Sequence, residues 1–156
     1  MLYFILKYLH VIGASVLLGT GAGIAFFMLL AHFIGRAEVI AAVARIVVIA
    51  DFVFTATAVV AQPLTGIALV HVAGYSFWDG WVVLSIVLYL VTGAFWLPVV
   101  WMQMKMRDLA AEAAAARAPL PERYHRLFRL WFAFGFPAFA AVLAIFWLMI
   151  TRPILW

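Results

Sequence analysis

The stretch Tyr8–Gly35, YLHVIGASVLLGTGAGIAFFMLLAHFIG, contains no Asp, Glu, Lys or Arg. A membrane-spanning helix needs roughly 20 mostly apolar residues, so this stretch is long enough to cross a bilayer. Three more stretches meet the same criterion, namely Ile46–His71 with Asp51 as its single acid, Trp81–Met102 and Leu130–Thr151. Runs this long and uniformly apolar exclude the alternating strands of a β-barrel. The sequence therefore predicts an all-α fold, a bundle of four transmembrane helices.

The composition supports the same conclusion. Of the 156 residues, 70% are hydrophobic and only 10% are charged, whereas a soluble domain carries about 25% charged residues. The net charge of +4 is read as a topology signal, since membrane proteins concentrate Lys and Arg in cytoplasmic loops. We therefore expect the lipid bilayer and no nucleic acid as a partner. The absence of cysteine excludes thiolate metal sites, iron–sulfur clusters and a cysteine nucleophile.

Loop charge predicts how the single domain, residues 1–156, is oriented. We expect helices at about 3–34, 39–73, 79–116 and 122–152. The two loops at 34–45 and 103–129 hold eight of the ten Lys and Arg residues. By the positive-inside rule these loops face the cytoplasm and both termini face outward, the N-out/C-out arrangement. The predicted location is the bacterial inner membrane, with a multi-pass chain.

Four histidines lie in or beside these helices. Placing an ionisable side chain at the centre of a bilayer costs on the order of 3 kcal/mol of insertion free energy, so each such residue calls for a structural or functional explanation. His10 and His71 lie at the same predicted depth on adjacent helices, and neutral imidazole binds metals. We predict them as the two axial ligands of a haem iron, the alternative being a hydrogen bond from each ring to a neighbour. His32 and His125 share the opposite interface, where a solvated imidazole needs no ligand.

Glycines on the first helix offer room for a flat cofactor. Gly13 and Gly21 lie on the same helical face as the first histidine, at about 100° per residue. The alternative is close helix packing through small residues, here Gly19 and Gly23. Haem b is a flat, histidine-ligated group of the kind that helical bundles hold between their helices. The predicted cofactor-binding residues are His10, His71, Gly13 and Gly21.

Asp51 is the costliest polar group within the predicted spans. Thr55 and Gln62 fall near its face, and the proline after Gln62 should kink the helix and free a carbonyl for another partner. The favoured interpretation is an ion pair with Arg126 or Arg129, because an unpaired carboxylate would be expelled from the membrane. The alternative is a proton- or ion-binding site with the two neighbouring polar side chains.

Several motifs resemble a known family. The sequence is similar to a family of small bacterial predicted integral membrane proteins, domain of unknown function 2269, over nearly the whole chain. The resemblance supports the four-span fold and implies no activity. The motifs that carry it are Leu6-Lys-Tyr-Leu-His10-Val-Ile-Gly, Gly19-Thr-Gly, Gln62-Pro-Leu-Thr-Gly66 with His71, Trp96-Leu-Pro98, and Tyr124-His125-Arg126 with the region of Trp131.

The opening Tyr8-Leu-His10 also resembles, more distantly, the first helix of two other groups of membrane proteins. Membrane-type protoporphyrinogen oxidases bind b-type haem through an early-helix histidine, which implies a ligand role for His10. Copper-resistance membrane proteins are linked to copper passage. Outside this helix the match is poor, so the resemblance implies no second ligand and no catalytic residue.

The predicted function is that of a b-type haem protein in electron transfer, or of a haem-dependent membrane oxidoreductase with a quinone or porphyrin-like partner. The alternative is a non-enzymatic subunit for the transport of copper or another small solute. A third interpretation is a structural partner in an assembly, either with a second copy of the chain or with another membrane subunit. The transport alternative uses His10, His71, Met28 and Asp51.

Overall fold

A computed structural model describes all 156 residues, which form helices joined by short loops. A π-helical turn, Asp51–Thr55, joins α2 to α3 into one continuous span. Four helices are therefore long and apolar enough to cross a membrane, which confirms the predicted all-α, four-span architecture. The helices are α1 Leu2–Ile34, α2 Ala37–Ala50, α3 Ala56–Ala73, α4 Gly80–Ala116 and α5 Glu122–Thr151.

The helices end where the backbone turns left-handed or meets proline. Gly35 ends α1 with φ 72°, and Gly74 ends α3 with φ 74°. Glycine adopts this conformation without the steric penalty that a Cβ brings. Pro121 precedes the first turn of α5, a position where the missing N–H of proline is not needed. These three residues therefore mark the loops that follow α1 and α3 and the loop that precedes α5.

The buried core lies at one end of the bundle. We call this the basic end, because it carries the two Arg-rich loops, and the other the terminal end, because it carries both chain termini. Which end faces the cytoplasm stays a prediction from loop charge. At the basic end α2 packs against α4, α4 against α5, and α1 against α2. The core side chains there include Met28, Ile40, Met106, Tyr124 and Trp131.

Towards the terminal end the bundle separates into two pairs. α1 packs along α3, and α4 packs along α5, but α3 has no extended packing with α4 or α5. The C-terminal residues pack on the loop between α3 and α4, where the indole Nε1 of Trp156 donates to the carbonyl of Trp78 at 3.0 Å. Arg152 donates to the hydroxyl of Tyr75. A space therefore remains between the two pairs.

Candidate functional site

A cavity of about 770 Å³ fills the space between the α1/α3 pair and the α4/α5 pair. Three glycines from different helices, Gly21, Gly93 and Gly135, line it, and a Cβ added at any of them meets no atom within 4 Å. The bundle is therefore open at this level, and side chains larger than hydrogen would extend into free space. This cavity is the candidate site that we consider below.

The polar wall of the cavity is built around Asp51, which is only 3% exposed. Its carboxylate accepts a hydrogen bond from the indole Nε1 of Trp96 at 3.3 Å. With its amide oriented to satisfy both neighbours, Gln103 donates to Asp51 Oδ2 at 2.7 Å and accepts from Trp131 Nε1 at 3.2 Å. Two neutral donors of α4 thus bind the carboxylate, and α5 joins them through the bond from Trp131 to Gln103.

The predicted ion pair of Asp51 with an arginine of the fourth span is wrong. Arg129 instead pairs with Glu122 at 3.3 Å on the exposed surface, where both side chains are about 70% accessible. Arg126 forms no ion pair in the chain. The physical reason is that neutral donors from Trp96 and Gln103 already occupy the carboxylate, while the long arginine side chains extend to the interface, where a charge is better solvated.

Thr55 lies on the same wall with an unsatisfied hydroxyl. The residue is 5% exposed, lines the cavity, and its Oγ1 has no hydrogen-bond partner. A buried hydroxyl without a partner costs about 1–3 kcal/mol. It belongs to the π-helical turn that begins at Asp51, a distortion of helices that is frequent at functional sites. Thr55 and Asp51 are therefore the two groups whose placement helix packing alone does not explain.

The prediction that Pro63 frees a carbonyl for another partner is confirmed. Proline has no N–H, so the carbonyl of Val59, four residues earlier, loses its helical partner. The hydroxyl of Tyr89 on α4 donates to this carbonyl. Tyr89 and Val59 both line the cavity. The proline thereby ties the α1/α3 pair to the α4/α5 pair at a point where little else joins them.

Gly13 and Gly21 have different surroundings. A Cβ at Gly13 would lie 2.3 Å from the amide nitrogen of Gln62, which crosses the glycine and donates to the backbone carbonyl of His10 at 2.8 Å. The space above Gly13 is thus filled by a side chain of α3, whereas Gly21 borders the open cavity.

The two predicted haem ligands have separate partners. His10 Nδ1 bonds to the hydroxyl of Thr65 at 2.8 Å, and its ring packs against Gly66, where a Cβ would lie 3.3 Å from it. His71 follows Gly66 by five residues, about 7.5 Å further along α3 and about 140° around it. Its ring makes an edge contact with Phe77 at a centroid distance of 5.2 Å. The structure does not bring the two rings together, and their ligand role stays a prediction.

His32 and His125 meet at the basic end, as their shared predicted depth indicates. Their ring centroids are 6.0 Å apart. His32 stacks flat on Phe128 at 3.6 Å, and its Nδ1 lies 3.3 Å from the hydroxyl of Tyr124. These contacts account for the position of His32 as part of an aromatic cluster that closes the core.

Sequence reasoning missed the residues of α4 and α5 that surround Asp51. Trp96 and Gln103 are seven residues apart and so share one helical face, which was the available signal. The predicted boundary concealed it, because Trp96 was assigned to the uncharged span and Gln103 to the basic loop that follows. Tyr89 and Trp131 gave no signal of their own, because an aromatic residue in a membrane helix is common.

The comparison with known proteins identifies the family. The family model described as predicted integral membrane protein, domain of unknown function 2269, matches residues 4–153. The chain belongs to this family. No curated protein matches the chain, and no solved structure matches it. Membership of this family of membrane proteins supports the multi-pass fold, so an activity has to be argued from the cavity and the residues around it.

Proposed function

We propose that the protein is a membrane-embedded electron-transfer protein of the bacterial inner membrane, whose central cavity binds a lipid-soluble ring compound of the quinone or porphyrin class. The observation that carries the proposal is the cavity of about 770 Å³ between the helix pairs. Ligand sites usually measure about 300–1,000 Å³ and combine apolar walls with a few placed polar groups. The walls here are mostly apolar and aromatic, and Asp51, Thr55 and Gln103 are among the few polar side chains that line them.

The route into the cavity supports a ligand that travels within the membrane. Three of the lining side chains, Leu90, Leu97 and Phe136, are each more than 60% exposed. In a transmembrane helix such exposed apolar side chains face lipid. A hydrophobic molecule can therefore pass from the hydrocarbon into the cavity sideways, without crossing either polar interface.

Between the two ligand classes the cavity favours the quinone. No histidine lines the cavity, whereas a haem iron needs an axial ligand such as histidine. A quinone needs only a slot for its ring and hydrogen-bonding groups at its oxygens. Haem b on His10 and His71 stays a separate prediction, with a position near the terminal end outside the cavity. If bound there, the haem would supply one-electron chemistry beside the quinone.

Two measurements on one preparation test the proposal. Protein purified from membranes is extracted with organic solvent for quinone and porphyrin analysis, and its visible spectrum is recorded. We expect a quinone in near-stoichiometric amount from the wild type and far less from Gly21→Leu, whose side chain fills the cavity. The matched control is Gly19→Leu, because Gly19 also has no neighbour within 4 Å but does not line the cavity.

Equal quinone content in both leucine variants would refute a site in the cavity. For the haem prediction, His10→Ala and His71→Ala should each abolish or shift a Soret band, while His125→Ala should leave it unchanged. A colourless wild-type protein made with ample haem would refute haem binding. A colourless protein that contains bound copper would support the transport alternative.

A further inference from the structure

All but one of the hydrogen-bond donors around the cavity are engaged within the protein. The indole of Trp96 and the amide of Gln103 both point at the carboxylate of Asp51. Four other donors on the wall have a protein acceptor too, namely Trp131 on Gln103, Tyr89 on the carbonyl of Val59, Gln62 on the carbonyl of His10, and Thr92 on the carbonyl of Leu88. A ligand that only accepts hydrogen bonds would find one free donor on this wall, the hydroxyl of Thr55.

The cavity wall mainly offers a ligand hydrogen-bond acceptors. An ionised carboxylate accepts up to about four hydrogen bonds, and the structure gives Asp51 two of them, from Trp96 and Gln103. The hydroxyl of Thr55 has no partner. Threonine in a helix populates two χ1 rotamers, so rotation about one bond exchanges its methyl and hydroxyl groups at the cavity wall. No Lys, Arg or His lines the cavity.

We propose that Asp51 and Thr55 together bind the hydroxyl group of a phenol- or hydroquinone-type ring inside the cavity. The ring hydroxyl donates to the carboxylate and the Thr55 hydroxyl completes the contact. This inference rests on the proposed function, and it names which form of the quinone the cavity holds. A quinone carbonyl could accept from Thr55, but it has no hydrogen to donate to the Asp51 oxygens, so it makes one of the two contacts that a ring hydroxyl makes. The cavity therefore binds the reduced, hydroxyl-bearing form more tightly than the oxidised form.

A neutral hydroxyl suits this site better than an ammonium group. The way into the cavity is lined by exposed Leu90, Leu97 and Phe136, so a ligand that arrives from lipid must cross hydrocarbon. A charged head group pays several kcal/mol for that passage, whereas a phenol does not. The aromatic side chains Phe132 and Phe139 on the opposite wall offer ring contacts for the apolar body of the ligand.

The test uses three redox-inert probes with the same alkyl tail: 4-decylphenol, its methyl ether, and 4-decylbenzylamine. Their affinities for the purified full-length protein in detergent are measured by equilibrium dialysis. The phenol donates a hydrogen bond and the ether cannot. Because a hydrogen bond to a charged group contributes about 1.5–3 kcal/mol, we expect the wild type to prefer the phenol by about tenfold or more.

Variants of single residues test which side chains cause the preference for the phenol over its ether. Asp51→Asn should reduce the phenol-to-ether ratio to below about threefold, because the single amide oxygen is shared with the indole of Trp96. Thr55→Val, which keeps the shape of the side chain, should reduce the ratio by about twofold or more. The matched control is Thr57→Val, whose hydroxyl bonds back to the carbonyls of Val53 and Phe54 on the exposed face, and there the ratio should not change.

Each other outcome overturns a defined part of the reasoning. Equal affinity for phenol and ether in the wild type would overturn the inference but leave a cavity that binds ring compounds. Absence of binding by all three probes would contradict the proposed function itself. Tighter binding of the amine than of the phenol would show that the site prefers a cationic ligand to a neutral hydroxyl group. An undiminished ratio in the well-folded Thr55→Val protein would exclude Thr55 from the contact.

Discussion

A methyl group added at Gly13 tests how α1 and α3 fit together. The Cβ of Gly13→Ala would lie 2.3 Å from Gln62 Nε2, so the amide must leave its 2.8 Å hydrogen bond to the carbonyl of His10. The lost hydrogen bond costs about 0.5–1.5 kcal/mol and overpacking about 1–3 kcal/mol. The higher helix propensity of alanine returns about 1 kcal/mol. We expect a net loss of about 1–3 kcal/mol in the free energy of unfolding.

The assay is unfolding in mixed detergent and SDS micelles, followed by circular dichroism. Gly19→Ala is the matched control, because its added Cβ meets nothing within 4 Å. This variant should be as stable as the wild type or more stable by up to about 1 kcal/mol. Removing the obstructing amide with Gln62→Ala should reduce the cost of Gly13→Ala. If Gly13→Ala and Gly19→Ala have the same stability, the placement of Gln62 across Gly13 is wrong.

Three further predictions concern hydrogen bonds and topology. Gln103→Leu should lose about 1–3 kcal/mol in unfolding experiments, because it removes a donor from a buried carboxylate, whereas Arg129→Gln should change stability by about 0–1 kcal/mol because its ion pair is exposed. Tyr89→Phe should lose about 1–3 kcal/mol, since the Val59 carbonyl is then left without any donor; unchanged stability would show that water or lipid replaces the tyrosine. A reporter fused after Trp156 should give a periplasmic signal, and a cytoplasmic signal would reverse the orientation.

The architecture was predictable because it depends on composition summed over long segments. Each span is longer than the roughly 20 residues that a bilayer needs, and no soluble fold accommodates so few charges. The helix ends depend on local signals instead, because Gly35 and Gly74 favour the end of a helix and Pro121 favours the start of one. The π-helical turn at Asp51–Thr55 was not predictable, because it contains no glycine or proline and so no residue that marks a break in the helix.

The site was only partly predictable, because it depends on how each helix is rotated about its axis. Asp51, Thr55 and Gln62 were singled out correctly as polar residues sharing a face, and all three line the cavity. Their partners lie 45 residues or more away in sequence or on the neighbouring α1. An arginine at a similar depth was the expected partner of the carboxylate. The observed partners are an indole and an amide of α4, because the face of α4 that carries Trp96 is directed towards Asp51.

Gly13 illustrates why a small residue is ambiguous in sequence. A glycine can make room either for a cofactor or for a side chain of another helix, and the sequence looks the same in both cases. The structure places Gln62 over Gly13 and leaves Gly21 open to the cavity. Only the position of the facing helix separates the two cases, and a single sequence does not contain that position.

We propose that a lipid-soluble ring compound occupies the cavity between the two helix pairs. A fluorescence titration of the purified protein with a decyl-tailed benzoquinone tests this, because Trp96 and Trp131 line the cavity and quinones quench nearby indoles. We predict saturable quenching in the wild type and in Gly19→Leu, and little saturable quenching in Gly21→Leu. Quenching that rises linearly without saturation, or that is the same in all three proteins, would contradict the claim.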